Sequence, residues 1–144
     1  MIYIRKEVKI QSKFGGAILI KTIQTDLAPE AIGPYSQAKM VGDFLYMSGQ
    51  IPLDPKTGEM VGENVSAQTA QVLKNISAVL EEAGLSESNV VKTTCFLADI
   101  ADFANFNEEY ASFFTSKPAR SCVAAKDLPK GALVEIEVIA YKGE

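Results

Sequence analysis

Two hydrophobic periods divide this chain: a period of two runs through most of it, and a helical period interrupts in two places. In "MIYIRKEVKIQSKFGGAILIKTI" (1–23), Ile2, Ile4, Val8 and Ile10 share one strand face, opposite Tyr3, Arg5, Glu7 and Lys9. Residues 12–16 supply a turn, and 17–23 form the next strand. "LAPEAIGPYSQ" (27–37) reads as a loop, and 38–50 as a strand, a Gly42-Asp43 turn and another strand. Pro52, Pro55 and Gly58 keep 51–60 out of a helix.

The helical period first appears at 65–83. Val65, Thr69, Val72, Ile76, Val79, Leu80 and Ala83 fall on one face, and Gly84 is the expected stop. Residues 90–98 are rich in β-branched side chains and predict a strand. Asp102 is placed to cap a second helix, in which Phe103, Phe106, Tyr110, Phe113 and Phe114 form an aromatic core stripe. Lys117-Pro118 ends it, and strands over 119–126 and 132–141 close the chain.

Two helices against about six strands predict an α+β domain with both helices on one face of a sheet. The other face is then left bare. A large uncovered apolar face predicts a subunit interface, hence a homo-oligomer.

Composition narrows the chemistry. A chain of 144 residues with 47% apolar and 22% charged side chains suits one globular domain. The net charge of −4, with scattered lysines, gives no electrostatic sign of a nucleic-acid partner. The absence of histidine excludes a Ser-His-Asp triad, a His-activated cysteine and a His-ligated metal. Cys95 and Cys122 are too few for a thiolate zinc site and read as free thiols. No apolar run fits a signal peptide or a membrane span, so the expected location is the cytoplasm.

Arginine is scarce: Arg5 and Arg120 are the only two, and Arg120 opens a half-buried strand. In the last strand Leu133, Glu135, Glu137 and Ile139 share one face, while Val134, Ile136, Val138 and Ala140 take the other. The wholly apolar set should meet the helices, which sends both carboxylates to the interface side, a side that Arg120 could share. Two readings of Arg120 stand. It grips an anionic ligand through its planar fork, or it forms an interface ion pair with Glu135 or Glu137. Cys122 is either a passive pocket thiol or a thiolate activated by Arg120, and the passive reading is favoured. Tyr35 in "IGPYSQ" either hydrogen-bonds a ligand or packs in its loop.

Five segments, "IGPYSQA" (32–38), "SGQIPLDPKTGE" (48–59), "QVLKNISAVLEEAGL" (71–85), "VVKTTCFLADIADFANFNEEYASFF" (90–114) and "PARSCVAAKDLPKGALVEIEVIA" (118–140), resemble the RidA/YjgF family in both content and order. The resemblance implies a chorismate-mutase-like two-layer α+β fold assembled as a homotrimer, with ligand clefts between subunits. It also implies hydrolytic deamination of reactive 2-imino and enamine acids, which leak from pyridoxal-phosphate-dependent serine and threonine dehydratases, to 2-keto acids and ammonia. Carried over by position, Arg120 binds the substrate carboxylate and Glu135 holds the attacking water. Tyr35, Ser48, Gly49, Asn107 and Cys122 line the cleft. No cofactor, metal, nucleic acid or membrane is implied, and Lys92 need not form a Schiff base.

Family members begin near what is here Ile20 or Lys21. Residues 1–20 are therefore expected to be an extension, either an added edge strand or the product of a start site placed upstream of one near Leu19, ahead of a single domain over 21–144. The linker in "FFTSKPARS" (113–121) is also slightly shorter than in many members. Two other activities attributed to relatives are weighed beside deamination: a metabolite-binding regulatory module and RNA cleavage with translation inhibition. Arg120 favours the deaminase, and the missing histidine disfavours the ribonuclease.

Overall fold

Alternation along the last strand sets the architecture. Val134, Ile136, Val138 and Ala140 are each at most 1% exposed, whereas Glu137 and Tyr141 reach solvent. One side of the sheet is therefore sealed and the other is open. The computed structural model describes residues 7–11 and 17–143.

Its strands are β1 (Glu7–Gln11), β2 (Ala17–Ile23), β3 (Ala38–Val41), β4 (Phe44–Gln50), β5 (Val90–Leu97), β6 (Ala119–Ala124) and β7 (Val134–Tyr141). They form one sheet in the order β1-β2-β3-β4-β7-β5-β6. Only β5 and β6 run parallel; every other neighbouring pair is antiparallel. Seven strands stand against the six or so expected, and β1 overlaps the first of those the alternation indicates. Of the strand expected over 2–10, residues 2–6 lie outside the described residues, as does the turn at 12–16.

The sealed side is covered by α1 (Val65–Glu82) and α2 (Phe103–Phe113). Helix α1 begins where the Asn64 side chain accepts a hydrogen bond from the Ala67 amide at 2.9 Å. It ends at Gly84, whose φ of +76° a side chain would resist. Its buried face (Val65, Thr69, Val72, Ile76, Val79 and Leu80) is the one its periodicity indicates.

The start of α2 differs from expectation. Asp102 makes no capping bond with its side chain. Asp99 acts instead, accepting from the Ala101 amide at 2.9 Å and capping a short 3-10 turn over Ile100–Asp102 that leads into the helix. Two acidic residues three apart both suit a cap, and the sequence does not show that a 3-10 turn precedes the α-helix. The aromatic stripe divides as well. Phe106, Tyr110 and Phe114 are buried, but Phe103 is 37% exposed and leaves the core.

Candidate functional site

The strand register decides which side chains can meet. β5 pairs with β7 at Phe96↔Glu135 and Cys95↔Ile136, and with β6 at Thr93↔Arg120 and Cys95↔Cys122. Thr93, Cys95 and Leu97 are buried on the helix side, so Arg120 and Cys122 lie on that side too. Glu135 and Glu137 lie on the other. The expectation that Arg120 could share a face with the carboxylates is thus corrected. Within one chain, no Arg120–Glu135 or Arg120–Glu137 pair forms. Alternation names the two sets on a strand but not which set faces inward. β6 is an edge strand with no residue fully buried, so hydrophobicity gave no direction.

On the helix side, Arg120 is held by α2. Its Nη1 donates to Asn107 Oδ1 at 2.7 Å. The guanidinium carbon lies 4.7 Å from the centre of the Tyr110 ring and 5.5 Å from that of Phe103. Among the described residues no carboxylate pairs with it. A cavity of about 410 Å³ opens beside it, walled by Asn107, Tyr110, Phe114, Lys117 and Pro118. Cys122 follows along the same face, half-buried. Burial pushes its thiol up, and the Arg120 charge only partly offsets this. Its register neighbour Cys95 is pushed up to about 12, chiefly by burial. Both are protonated at neutral pH, which fits passive thiols rather than nucleophiles.

On the open side the centre is Glu135. On the neighbouring strand, β4 takes three steps from Met47 to Gln50 while β7 takes two from Val138 to Ile136, so Ser48 and Gly49 carry an irregularity in the ladder. The Glu135 carboxyl lies directly over Gly49, where any Cβ would occupy the position of its oxygen. Burial, and then the like charge of Glu137, raises the Glu135 carboxyl above its ordinary pKa. Gly49 and Tyr35 line a second cavity of about 310 Å³. Tyr35 is 55% exposed, and its ring lies beside Gly33 of the same loop.

Ser48 is tied into the structure. Its hydroxyl donates to Ser36 O and its amide to Gln37 O, at 2.5 and 2.9 Å. Gln37, which sequence reasoning missed, clasps the loop that carries Tyr35. Its Oε1 accepts from the Thr25 amide at 2.8 Å, and its Nε2 donates to Pro29 O at 2.8 Å. Its signal was a polar residue at the boundary of an apolar strand.

The seven expected residues therefore fall into two groups on opposite faces: Arg120, Asn107 and Cys122, and Glu135, Gly49, Ser48 and Tyr35. Neither group contains a set of three His, Cys, Asp or Glu side chains placed to hold a metal, among the described residues. No described helix is long and apolar enough to cross a membrane.

Both groups lie within the span over which the chain matches known proteins. A family model described as Endoribonuclease L-PSP matches residues 25–142. A RutC family protein of Pyrococcus horikoshii is 55% identical over 123 residues, spanning 85% of this chain and 98% of that protein. A 2-iminobutanoate/2-iminopropanoate deaminase of Salmonella typhimurium is 52% identical over 126 residues, spanning 85% and 98%. Among solved structures, E. coli TdcF with bound serine superimposes with a TM-score of 0.82 at 43% identity, covering 85% of this chain and 99% of that one.

Proposed function

The chain belongs to the YjgF/RidA family, and from that premise we propose that it hydrolyses reactive 2-imino acids, and their enamine tautomers, to 2-keto acids and ammonia. The observation that carries this reading is the half-buried Arg120 guanidinium, oriented by α2 and paired with no carboxylate among the described residues. Such a group suits a small carboxylate ligand. The similarity to a named 2-iminobutanoate deaminase supplies the substrate class.

Since the Arg120 and Glu135 groups face opposite ways, the reading requires a cleft shared by two subunits of a homotrimer. Arg120 of one subunit holds the substrate carboxylate, which fixes the position of C2. Glu135 of the next accepts a hydrogen bond from water and orients it. The iminium carbon is already electrophilic, so orientation and charge complementarity replace a strongly activated nucleophile. Water oxygen bonds to C2 as the C=N π pair moves to nitrogen, and Glu135 takes the proton released. That proton passes to the amine, the C–N bond breaks, and the oxygen's remaining proton leaves as the carbonyl forms. An enamine first takes a proton at C3. Imino acid and water thus give keto acid and ammonia.

The description of the family model as an endoribonuclease suggests RNA cleavage as a competitor. That reaction calls for proton-transfer groups poised near neutrality, and the chain has no histidine.

Subunit complementation tests the deaminase. A threonine dehydratase supplies 2-iminobutanoate, and 2-oxobutanoate is followed. The wild type accelerates its appearance, while Arg120→Ala and Glu135→Gln each abolish the acceleration. Refolding the two variants together at equal amounts restores about a quarter of the wild-type sites, because each shared cleft needs one intact residue from each neighbour. No acceleration by the wild type overturns the activity. No recovery on mixing overturns the shared cleft.

A further inference from the structure

The helical period assigns Tyr110 and Phe103 to the core, yet neither serves only that end. Tyr110 presents its ring to the Arg120 guanidinium at 4.7 Å, and its hydroxyl is fixed by a 2.7 Å hydrogen bond to Thr93 Oγ1. Thr93 is fully buried and is the register partner of Arg120 on the adjoining strand. Phe103 offers a second ring at 5.5 Å while itself remaining 37% exposed. Asn107 lies between them in sequence, one turn from each on α2, and takes one Nη1 proton at 2.7 Å.

We propose that Tyr110 and Phe103 are positioning residues: with Asn107 they form an aromatic cradle that holds the Arg120 fork aimed at a carboxylate before the ligand arrives. A free arginine side chain loses much rotamer freedom when it grips a ligand, and a side chain already stacked on two rings loses less. Stacking uses the guanidinium face and Asn107 uses one N–H, so four of the five N–H groups stay available in the plane. The rings also displace water from the faces of the cation without supplying a competing charge, which strengthens its attraction for an anion. Thr93 belongs to the device because its hydroxyl sets the tilt of the Tyr110 ring. This inference rests on the proposed deaminase for its kinetic consequence but not for its structural one.

The test therefore has a readout independent of turnover. The chain contains only two arginines, so side-chain Nε–H spectra hold two arginine signals, and the one lost in Arg120→Ala is assigned. In the ligand-free wild type that signal shows a ring-current shift and an order parameter near that of rigid backbone, about 0.85. Tyr110→Leu removes the larger part of the shift, leaving that of Phe103, and mobilises the side chain. It weakens binding of 2-oxobutanoate in calorimetry and raises KM for 2-iminobutanoate, each about tenfold, with kcat held within about threefold. Tyr110→Phe keeps the ring and loses only the Thr93 bond, restoring most of the affinity. Phe103→Leu, at an exposed position that tolerates change, weakens binding about threefold.

A mobile, unshifted Arg120 signal in the wild type overturns the proposal. So does unchanged 2-oxobutanoate affinity in folded Phe103→Leu and Tyr110→Leu, and so does a fall in kcat at constant KM. If the wild type binds 2-oxobutanoate through an ordered Arg120 yet hydrolyses no imine, the deaminase reading fails and the cradle stands.

Discussion

The two sides of the sheet use the same strands for different ends. On the helix side of β7, Val134, Ile136 and Val138 are at most 1% exposed and pack under α1 and α2. One residue along, on the open side, come Glu135, Glu137 and the exposed ring of Tyr141, with Tyr46 exposed nearby on β4. The sealed side is a closed core that excludes charge. The open side mixes acids with exposed aromatic rings. Each candidate chemical group sits where the rule of its own side fails. Arg120 occupies the helix side only at its outermost strand, and Glu135 folds over the glycine at a ladder irregularity.

The largest effect that separates the sides is on stability. Ile136→Ala empties a fully buried position and should cost about 2–5 kcal/mol in denaturant unfolding, at any protein concentration. Tyr46→Ala removes an exposed ring that, in the homotrimer proposed above, would contribute through contact between copies, so its cost should shrink on dilution. If both costs respond alike to dilution, the two faces do not differ as described.

Next comes Gly49→Ala, which tests the open side alone. A methyl group there meets the Glu135 carboxyl, so the carboxyl must move. A displacement of that kind should lower kcat/KM for imine hydrolysis about a hundredfold while the fold and Arg120 are undisturbed. Steady-state rates, with 2-oxobutanoate affinity as the control for the arginine side, check it. Wild-type activity in a folded Gly49→Ala protein would show that the position of Glu135 does not matter.

Sequence and structure agree most where a side chain's burial follows from its period. The α1 face, the Gly84 stop and the inward set of β7 were legible because ten apolar residues point inward. The face of Arg120 was not legible. Ala119, Ser121 and Val123 are no more polar than Cys122 and Ala124, and only pairing with β5 orients them. The split of the site into two groups follows from that register, so it was equally hidden. Tyr110 reads as core from its spacing, and its second role depends on Thr93, which lies seventeen residues away and meets it only in the folded protein. Residues 48, 49 and 107 were reached through family resemblance; alternation brought forward Glu135 and Glu137 together, and the resemblance chose Glu135 between them.

The smallest effect concerns the charge of Glu135, and its sign follows from burial. The carboxyl has a native pKa above its ordinary value of 4.5, raised by burial and then by Glu137. Between the two values the native protein keeps a proton that the unfolded chain has released. Stability therefore falls as pH rises through that interval, and the cost is complete above it. Glu135→Gln removes the cost, so the variant should be more stable than wild type at neutral pH, with the difference vanishing below pH 4.5, where both carboxyl states are protonated. Denaturant midpoints across pH measure this. Solvent reaches the half-buried group and keeps the gain small. A guanidinium from a neighbouring subunit would stabilise the ionised form and offset part of the burial cost. The gain from Glu135→Gln should accordingly be larger in an Arg120→Ala background. An equal gain in both backgrounds would mean that Arg120 and Glu135 do not face each other across a subunit boundary.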